Sequence, residues 1–406
     1  MKALVLCGGL PQIELINNLK SRGIHTILAD YNPQVAGRAY ADEFFPVSVF
    51  DIEAVKNLAA EQQVDFIITA CADQVLEVSA LISAELGLPC YIGPGTANDV
   101  SNKMRMKQIF SDNGVPTSRF IFADAFDANA ISGLKFPLVV KPVDSYSSKG
   151  VTKVETIEEA REAFDKAIGF SRAKTAIIEE FVSGTEMTVD FYIEAGKAKY
   201  LCSSRLDKLS QGTGFVIFRS FFPAGVSEIA QQKILAAGQG IADGFRLVDA
   251  PMFMQLIVNG DDVSVIEFCA RSGGGPKYKT IKELTGFDVV DAVVELTLGA
   301  KPHFEEPQTD TKALLNEFLY CREGVMDHIE GLDELKSEGI IYDYVQYRPD
   351  GSEIGQLHGS GDRVAYLTMR ADDLDHMREK YAQLAGRIKV LDPAGNDILI
   401  NDFKMF

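Results

Sequence analysis

The chain has 406 residues, 46% of them hydrophobic and 24% charged, which is enough for two or three domains with cores of their own. Its formal charge of −18 excludes broad binding to nucleic acid or to an anionic membrane, because those surfaces would repel it. An anionic ligand such as a nucleotide would need a local pocket of lysine, arginine, metal and backbone N–H groups.

In chain order, residues 2–7 read as a strand that runs into Gly8-Gly9, and residues 11–22 carry apolar positions at helical spacing. A strand at 25–29, a helix at 55–62, a strand at 66–69 and a helix at 75–86 follow. Strand and helix taking turns predicts βαβ crossovers and a parallel, Rossmann-like sheet. The Gly8-Gly9-Leu10-Pro11 turn lacks the GxGxxG spacing of a dinucleotide site, so its glycines are expected only to turn the chain tightly. Turn formers at Gly93-Pro94-Gly95 mark a boundary, and residues 97–113 form a helix stopped by Gly114 and Pro116. Beyond it the pattern is mixed α+β, with strands at 138–141, 175–179, 188–193, 252–258 and 263–268 and helices at 157–167 and 229–245. Lys301-Pro302 suggests a second boundary, followed by strands at 340–348 and 363–369 and a helix at 372–384. The expected division is a domain over 1–98, a second over 99–300 and an α/β subdomain over 301–406.

Cys7, Cys71, Cys90, Cys202, Cys269 and Cys321 show no metal or disulfide spacing and read as small core residues. The apolar run at 3–7 is too short for a signal peptide, and nothing approaches the ~20 apolar residues of a membrane span. A cytoplasmic protein without nucleic-acid or membrane partners is the expectation.

Three segments carry chemistry. A strand delivers Lys141 to a loop, Pro142 to Lys149, whose small residues Ser145, Ser147 and Ser148 precede Gly150-Val151. Small side chains let backbone N–H groups approach a phosphate, and Lys149 adds charge; a plain serine-rich hairpin turn is the competing reading. Next, Glu179-Glu180-Phe181-Val182 ends a strand and leads to Glu186. Backbone groups around Glu180 and Val182 would read a purine edge, Phe181 would supply an apolar wall, and Glu186 would accept ribose hydroxyls. Third, a hairpin turning at Asn259-Gly260-Asp261-Asp262 sets Gln255 beside Glu267, oxygen ligands of the kind Mg²⁺ takes with phosphate and water. Arg271 follows at a Ser272-Gly273-Gly274-Gly275 turn, where a guanidinium suits a transferring phosphoryl group.

Taken in this order, these segments resemble the ATP-grasp superfamily. Tyr91-Ile92-Gly93-Pro94, Asn102-Lys103 and Gly114-Val115-Pro116 are similar to biotin carboxylases, carbamoyl phosphate synthetases and purine-pathway ligases, and the loop after Lys141 is closest to L-amino acid ligases. The resemblance implies a pre-ATP-grasp domain, a grasp domain and a small C-terminal β-rich lid. It also implies ATP with Mg²⁺ or Mn²⁺, small-molecule carboxylate and amine substrates, and a homodimer as found among relatives. By the same resemblance, Lys103 and Lys141 hold the α- and β-phosphates, and residues 145–150 cover them. Glu179, Glu180, Phe181 and Val182 form the adenine linker, Glu186 takes the ribose, Gln255 and Glu267 the metal, and Arg271 the γ-phosphate. The alternatives are a bicarbonate-activating or purine-pathway enzyme of the same fold, or a nucleotide sensor. Cys269 stands where the family motif has asparagine, and a thiol is a poor ligand for Mg²⁺. Arg205 and Arg219, with Lys208, are expected to flank the 210–214 segment and clamp a substrate carboxylate, against a solvated basic hairpin as the alternative; His358 is read as a turn residue that could reach the cleft.

Overall fold

The computed structural model describes residues 1–144, 150–209, 215–305, 312–401 and 403–404. The loop 145–149, with Ser145, Ser147, Ser148 and Lys149, and the segment 210–214 lie outside the described residues.

The N-terminal strands Lys2–Leu6, His25–Ala29, Glu43–Phe45 and Phe66–Ile68 form a parallel sheet in the spatial order third, second, first, fourth. Its central strands are continuous apolar runs because helices cover both faces. Leu4, Leu6 and Ile27 pack on Val55, Leu58, Val75 and Ile82, while Ala3, Val5 and Leu28 pack on Leu15, Ile16 and Leu19. The Gly8 turn is filled by its own chain. A Cβ there would meet Val35 Cγ1 at 2.7 Å, and Gly37 N donates to the Gly8 carbonyl at 2.8 Å. Gly8 thus serves close packing, where the sequence suggested only a tight turn.

The rest of the described molecule is built mainly on two antiparallel sheets, beside two two-stranded ladders, Gly324–Met326 with Ser352–Ile354 and His328–Glu330 with Lys389–Leu391. The smaller sheet orders Phe120–Ala123, Ala176–Glu180, Leu138–Pro142 and Thr152–Val154, with helix Ile157–Phe170 packing Ala160, Phe164 and Ala167 against it. The larger sheet has eight strands, in the order Asp262–Cys269, Ala250–Asn259, Thr185–Glu194, Lys197–Lys208, Ile217–Phe222, Ala313–Leu319, Ala365–Ala371 and Asp343–Gln346. Helix Glu228–Gly244 covers part of its outer face through Ala230, Ile234 and Ile241. Helix Leu374–Tyr381 covers another part through Met377 and Tyr381.

One expectation is corrected here. The helix predicted over 97–113 is two helices, Pro94–Ser101 and Lys103–Asp112. Asn102 separates them in an extended conformation, and its side chain accepts from Met104 N and Arg105 N as a new N-cap. Ala313–Leu319 pairs with Ile217–Phe222, so the large sheet runs on into the region after 301. Strands Lys197–Lys208, Ile217–Phe222 and Ala313–Leu319, and helices Lys277–Thr285 and Val289–Thr297, are additions to the sequence reading. Among the described residues, no helix is long and apolar enough to cross a membrane.

Candidate active site

A cavity of about 410 Å³ opens between the two antiparallel sheets. The small sheet contributes Val139, Lys141 and the linker Glu179 to Val182; the large sheet contributes Glu186, Thr188, Ser204, Lys208, Phe253, Gln255, Ile257 and Glu267. Lys103 enters from the helix beside it, and Arg271 and Lys277 flank the glycine turn. Of the residues expected from sequence, Lys103, Lys141, Glu179, Glu180, Phe181, Val182, Glu186, Gln255, Glu267 and Arg271 all line this one space.

Lys141 is buried and pairs with the Glu179 carboxylate, whose other oxygen lies 3.0 Å from Lys107 Nζ. Ser118 Oγ also donates to Glu179, at 3.0 Å. Burial pushes the Glu179 carboxyl up, but the ammonium groups of Lys141 and Lys107 more than offset this and hold it well below the usual carboxylate range. Lys107 is drawn down by its own burial and by repulsion from Lys141, against the attraction of Glu179. The Glu179 side chain therefore holds Lys141, while its strand runs on into residues 180–182. Glu180 turns outward, accepting from Lys135 N at 3.0 Å and from Arg119 at 3.3 Å.

The apolar end of the cavity is walled by Val139, Val151, Phe181, Val182 and Ile257. Lys153 Nζ lies 4.6 Å from the Phe181 ring centroid. Gly150, expected to touch phosphate, has a φ of +75°, and a Cβ there would sit 2.9 Å from the Phe170 ring. Only glycine fits that return into the strand beginning at Thr152.

The hairpin behaves as expected, with one refinement. Gln255 pairs with Glu267, and a register shift between Gln255 and Leu256 leaves Ile266 as an extra residue. The bulge puts Ile266 and Glu267 consecutively on the cleft side, while Phe268 stays in the core and Val265 packs there at the cavity's edge. Glu267 lies 3.5 Å from Lys103 Nζ. Gln255 Nε2 donates to Glu186 at 2.6 Å, and Glu186 also pairs with Lys208. A carboxylate only accepts, so the Gln255 amide must turn its NH₂ to Glu186, which leaves its carbonyl oxygen for a cation beside Glu267. Among the described residues no three His, Cys, Asp or Glu side chains converge on an ion site. One carboxylate and one amide oxygen fit Mg²⁺ that completes its shell with phosphate oxygens and water.

Arg271 is buried, its Cζ 5.6 Å from the Phe253 ring centroid, and donates to the Ser272 carbonyl. Lys277 approaches the same ring at 5.4 Å and is tied to Asp190 at 2.8 Å, to Thr188, and to Ser204 Oγ at 3.3 Å. Its stem runs where a Gly273 Cβ would be, at 2.8 Å, so this glycine makes room for the lysine.

The sequence missed Lys107, Thr188, Ser204, Lys277, Phe318 and Arg363. Lys107 had a signal, since it follows Lys103 by four residues on one helix and so shares its face. The others come together only through long-range pairing. Lys208 does line the cavity, but Arg205 and Arg219 do not. Side chains alternate along a strand, so Ser204, Leu206 and Lys208 face the cavity while Arg205 and Asp207 face away. Arg219 pairs with Asp207 at 2.6 Å on that far face. His358 is exposed and is not among the cavity residues.

Residues 134–279 match the ATP-grasp domain, and residues 317–391 match the L-amino acid ligase C-terminal domain 2. A formate-dependent phosphoribosylglycinamide formyltransferase of Burkholderia lata is 27% identical over 283 residues, covering 66% of this chain and 69% of that protein. The L-amino acid ligase from Bacillus licheniformis superposes with a TM-score of 0.81 at 20% identity, over 96% of this chain and 98% of that one. The biotin carboxylase domain of the Hydrogenobacter thermophilus 2-oxoglutarate carboxylase, crystallised with MgADP and bicarbonate, gives a TM-score of 0.74 at 16% identity, over 94% and 89%. At these identities the structural likenesses speak to the fold.

Proposed function

We propose that this chain, an ATP-grasp enzyme of the carboxylate–amine ligase type, phosphorylates a small-molecule carboxylate with Mg-ATP and passes the acyl group to an amine, releasing ADP and phosphate. The observation that carries this reading is the convergence of Lys103, Lys141, Gln255, Glu267 and Arg271 on one cavity with an apolar end for a base.

The chemistry follows from the charges. A carboxylate resists attack by amines because oxide is a very poor leaving group, and transfer of the γ-phosphoryl group makes phosphate the leaving group instead. The carboxylate oxygen attacks phosphorus, and the bond to the β-bridging oxygen breaks, leaving ADP. The amine then adds to the acyl carbon, loses its proton and expels phosphate. Phosphoryl transfer asks the protein mainly for position and charge stabilisation. Lys141, held by Glu179 and backed by Lys107, and Lys103 would meet the α- and β-phosphates. Arg271, fixed over Phe253, would meet the charge on the group in flight. Glu267 and the Gln255 carbonyl would hold Mg²⁺, which neutralises phosphate charge when bound. Phe181, Val182 and Glu180 would frame the adenine and Glu186 the ribose; Glu186 would exchange part of its contact with Lys208 or Gln255 for the sugar hydroxyls. The division at 1–98, 99–300 and 301–406 would separate a Rossmann-like pre-ATP-grasp domain, the ATP-grasp domain with its nucleotide cleft and a C-terminal α/β subdomain.

The test is ADP release by purified protein against a panel of carboxylates and amines with Mg-ATP. Turnover that needs both a carboxylate and an amine supports the reading. Turnover supported by bicarbonate alone, or ATP binding with no ADP release under any pairing, would sink it.

A further inference from the structure

Most cations around the cavity already have a carboxylate. Lys103 has Glu267, Lys141 has Glu179, Lys208 has Glu186 and Lys277 has Asp190. Arg363 differs. It lines the same cavity from the C-terminal part of the chain, with Ser360 and Phe318 beside it. No carboxylate among the described residues forms an ion pair with it. Its chain neighbour Asp362 is committed elsewhere, accepting from His358 N at 2.8 Å and Gly359 N at 2.9 Å.

The guanidinium is nonetheless held in place. Arg363 Nε donates to the Ser360 carbonyl at 2.6 Å, and Cζ stands 4.3 Å from the Phe318 ring centroid and 5.9 Å from that of Tyr347. Its Nη1 lies 3.2 Å from where a Gly275 Cβ would project, and Gly275 has a φ of +67°. Arg363 therefore covers the far end of the glycine turn that Arg271 opens. A fixed guanidinium between aromatic rings, without a protein anion, is a site prepared for a ligand's oxyanion.

We infer that Arg363 is the docking point for a second carboxylate, one that a substrate carries besides the carboxylate being activated. This rests on the ligase reading above. The activated carboxylate must sit at the γ-phosphate within reach of Arg271, so an arginine across the Gly273-Gly274-Gly275 turn meets a group that does not react. A carboxylate fits better than a phosphate dianion, because a single guanidinium provides one bidentate fork and no lysine stands beside it with an open charge. The spectator group can belong to the amine or to the acid being activated, and the experiment separates the two.

ADP release would be measured with paired substrates that differ only in that group. On the amine side these are amino acids and their primary amides; on the acid side, dicarboxylic acids and their half-amides. Wild type should prefer the acid form at one of the two positions, and Arg363→Met should lose roughly 10- to 100-fold in kcat/KM on that acid form, as expected for a charge-assisted contact. The neutral amide should be turned over alike by both proteins, and the KM for ATP should stay where it was. Arg363→Lys should recover part of the preference, and it serves as the readout if Arg363→Met does not fold. An acid preference that survives in Arg363→Met, a wild type indifferent between acid and amide at both positions, or a preference for a phosphate-bearing amine would each overturn the inference. Absence of ADP release with every pairing would instead defeat the ligase reading on which it stands.

Discussion

The large sheet buries charge on both faces, and the two clusters do different work. On the cleft face, Lys277 and Asp190 meet Thr188 and Ser204, and Glu186 joins Gln255 and Lys208. On the far face, Arg219 pairs with Asp207, which also holds Arg205 Nε at 3.1 Å. Close by, Glu317 accepts from Tyr381 Oη and Asn401 Nδ2, both at 3.1 Å. The cleft cluster borders open volume of about 410 Å³. The far cluster is closed by helix Leu374–Tyr381 and by the Lys404 carbonyl, which accepts from Arg219 at 3.1 Å. Buried charge alone does not mark a site. Charge facing space that a ligand can fill does.

The sharpest break of this contrast comes from the cleft side. Glu267→Ala and Arg271→Ala should each abolish measurable ADP release, since one electrostatic contact of this kind commonly supplies roughly 3–4 kcal/mol of barrier lowering. Circular dichroism and thermal melting should show an intact fold for both, and normal turnover by either would remove that residue from the phosphate site. The far side should answer in the opposite way. Asp207→Ala removes the carboxylate that the buried Arg219 pairs with, and removing one partner of a buried pair commonly costs about 3 kcal/mol or more. Urea melts should register that loss while ADP release per folded molecule stays near wild type. Loss of activity without loss of stability would mean that the far face reaches the cleft chemistry.

Glu317 gives the far face a pH signature. Burial pushes its carboxyl up to about 8 against the pull of Arg219, from an ordinary value of 4.5. In that window the folded state keeps a proton that the unfolded chain has released, so stability falls as pH rises from 4.5 to 8. The stabilisation is fully present below the unfolded value and gone above the folded one. The slope should approach at most about 1.4 kcal/mol per pH unit, the limit for one proton. Glu317→Gln should flatten this component and be more stable relative to wild type at pH 8 than at pH 5. Chemical melts at the two pH values check it, and parallel pH dependence in both proteins would show that Glu317 titrates normally.

The difference between the faces also explains how much could be read from the sequence. The Gln255–Glu267 pairing was legible because a tight turn fixes the register of a hairpin locally. Lys141 and the Glu179–Glu186 segment were legible because each sits at the end of an apolar strand. What escaped was long-range. Nothing local shows that Ala313–Leu319 will lie against Ile217–Phe222, so neither the continued sheet nor the approach of Arg363 to the cavity was visible. Arg205 and Arg219 were assigned to the wrong face because alternation gives two sides but does not say which is the cleft. The register shift at Asp207–Lys208, which helps set the pairing of Arg219, has no simple sequence mark.

The smallest expected effect concerns Cys269, where the ATP-grasp resemblance leads one to expect an asparagine. Cys269 follows Glu267 by two residues in the same strand and pairs with Phe253, whose ring packs against Arg271. It is buried, and with Glu267, Lys103 and Met106 it lines a pocket of about 20 Å³ behind the carboxylate. A thiol contributes little to a hard cation, whereas an asparagine carbonyl offers Mg²⁺ one more oxygen. Cys269→Asn should therefore reduce the Mg²⁺ needed for half-maximal ADP release by roughly threefold to tenfold, the modest gain of one neutral oxygen ligand. Mn²⁺ tolerates softer surroundings, so its midpoint should move less, and the ratio of the two midpoints is the quantity to follow. If neither midpoint shifts while the protein stays folded, Cys269 is packing behind Glu267 and the metal is held without that position.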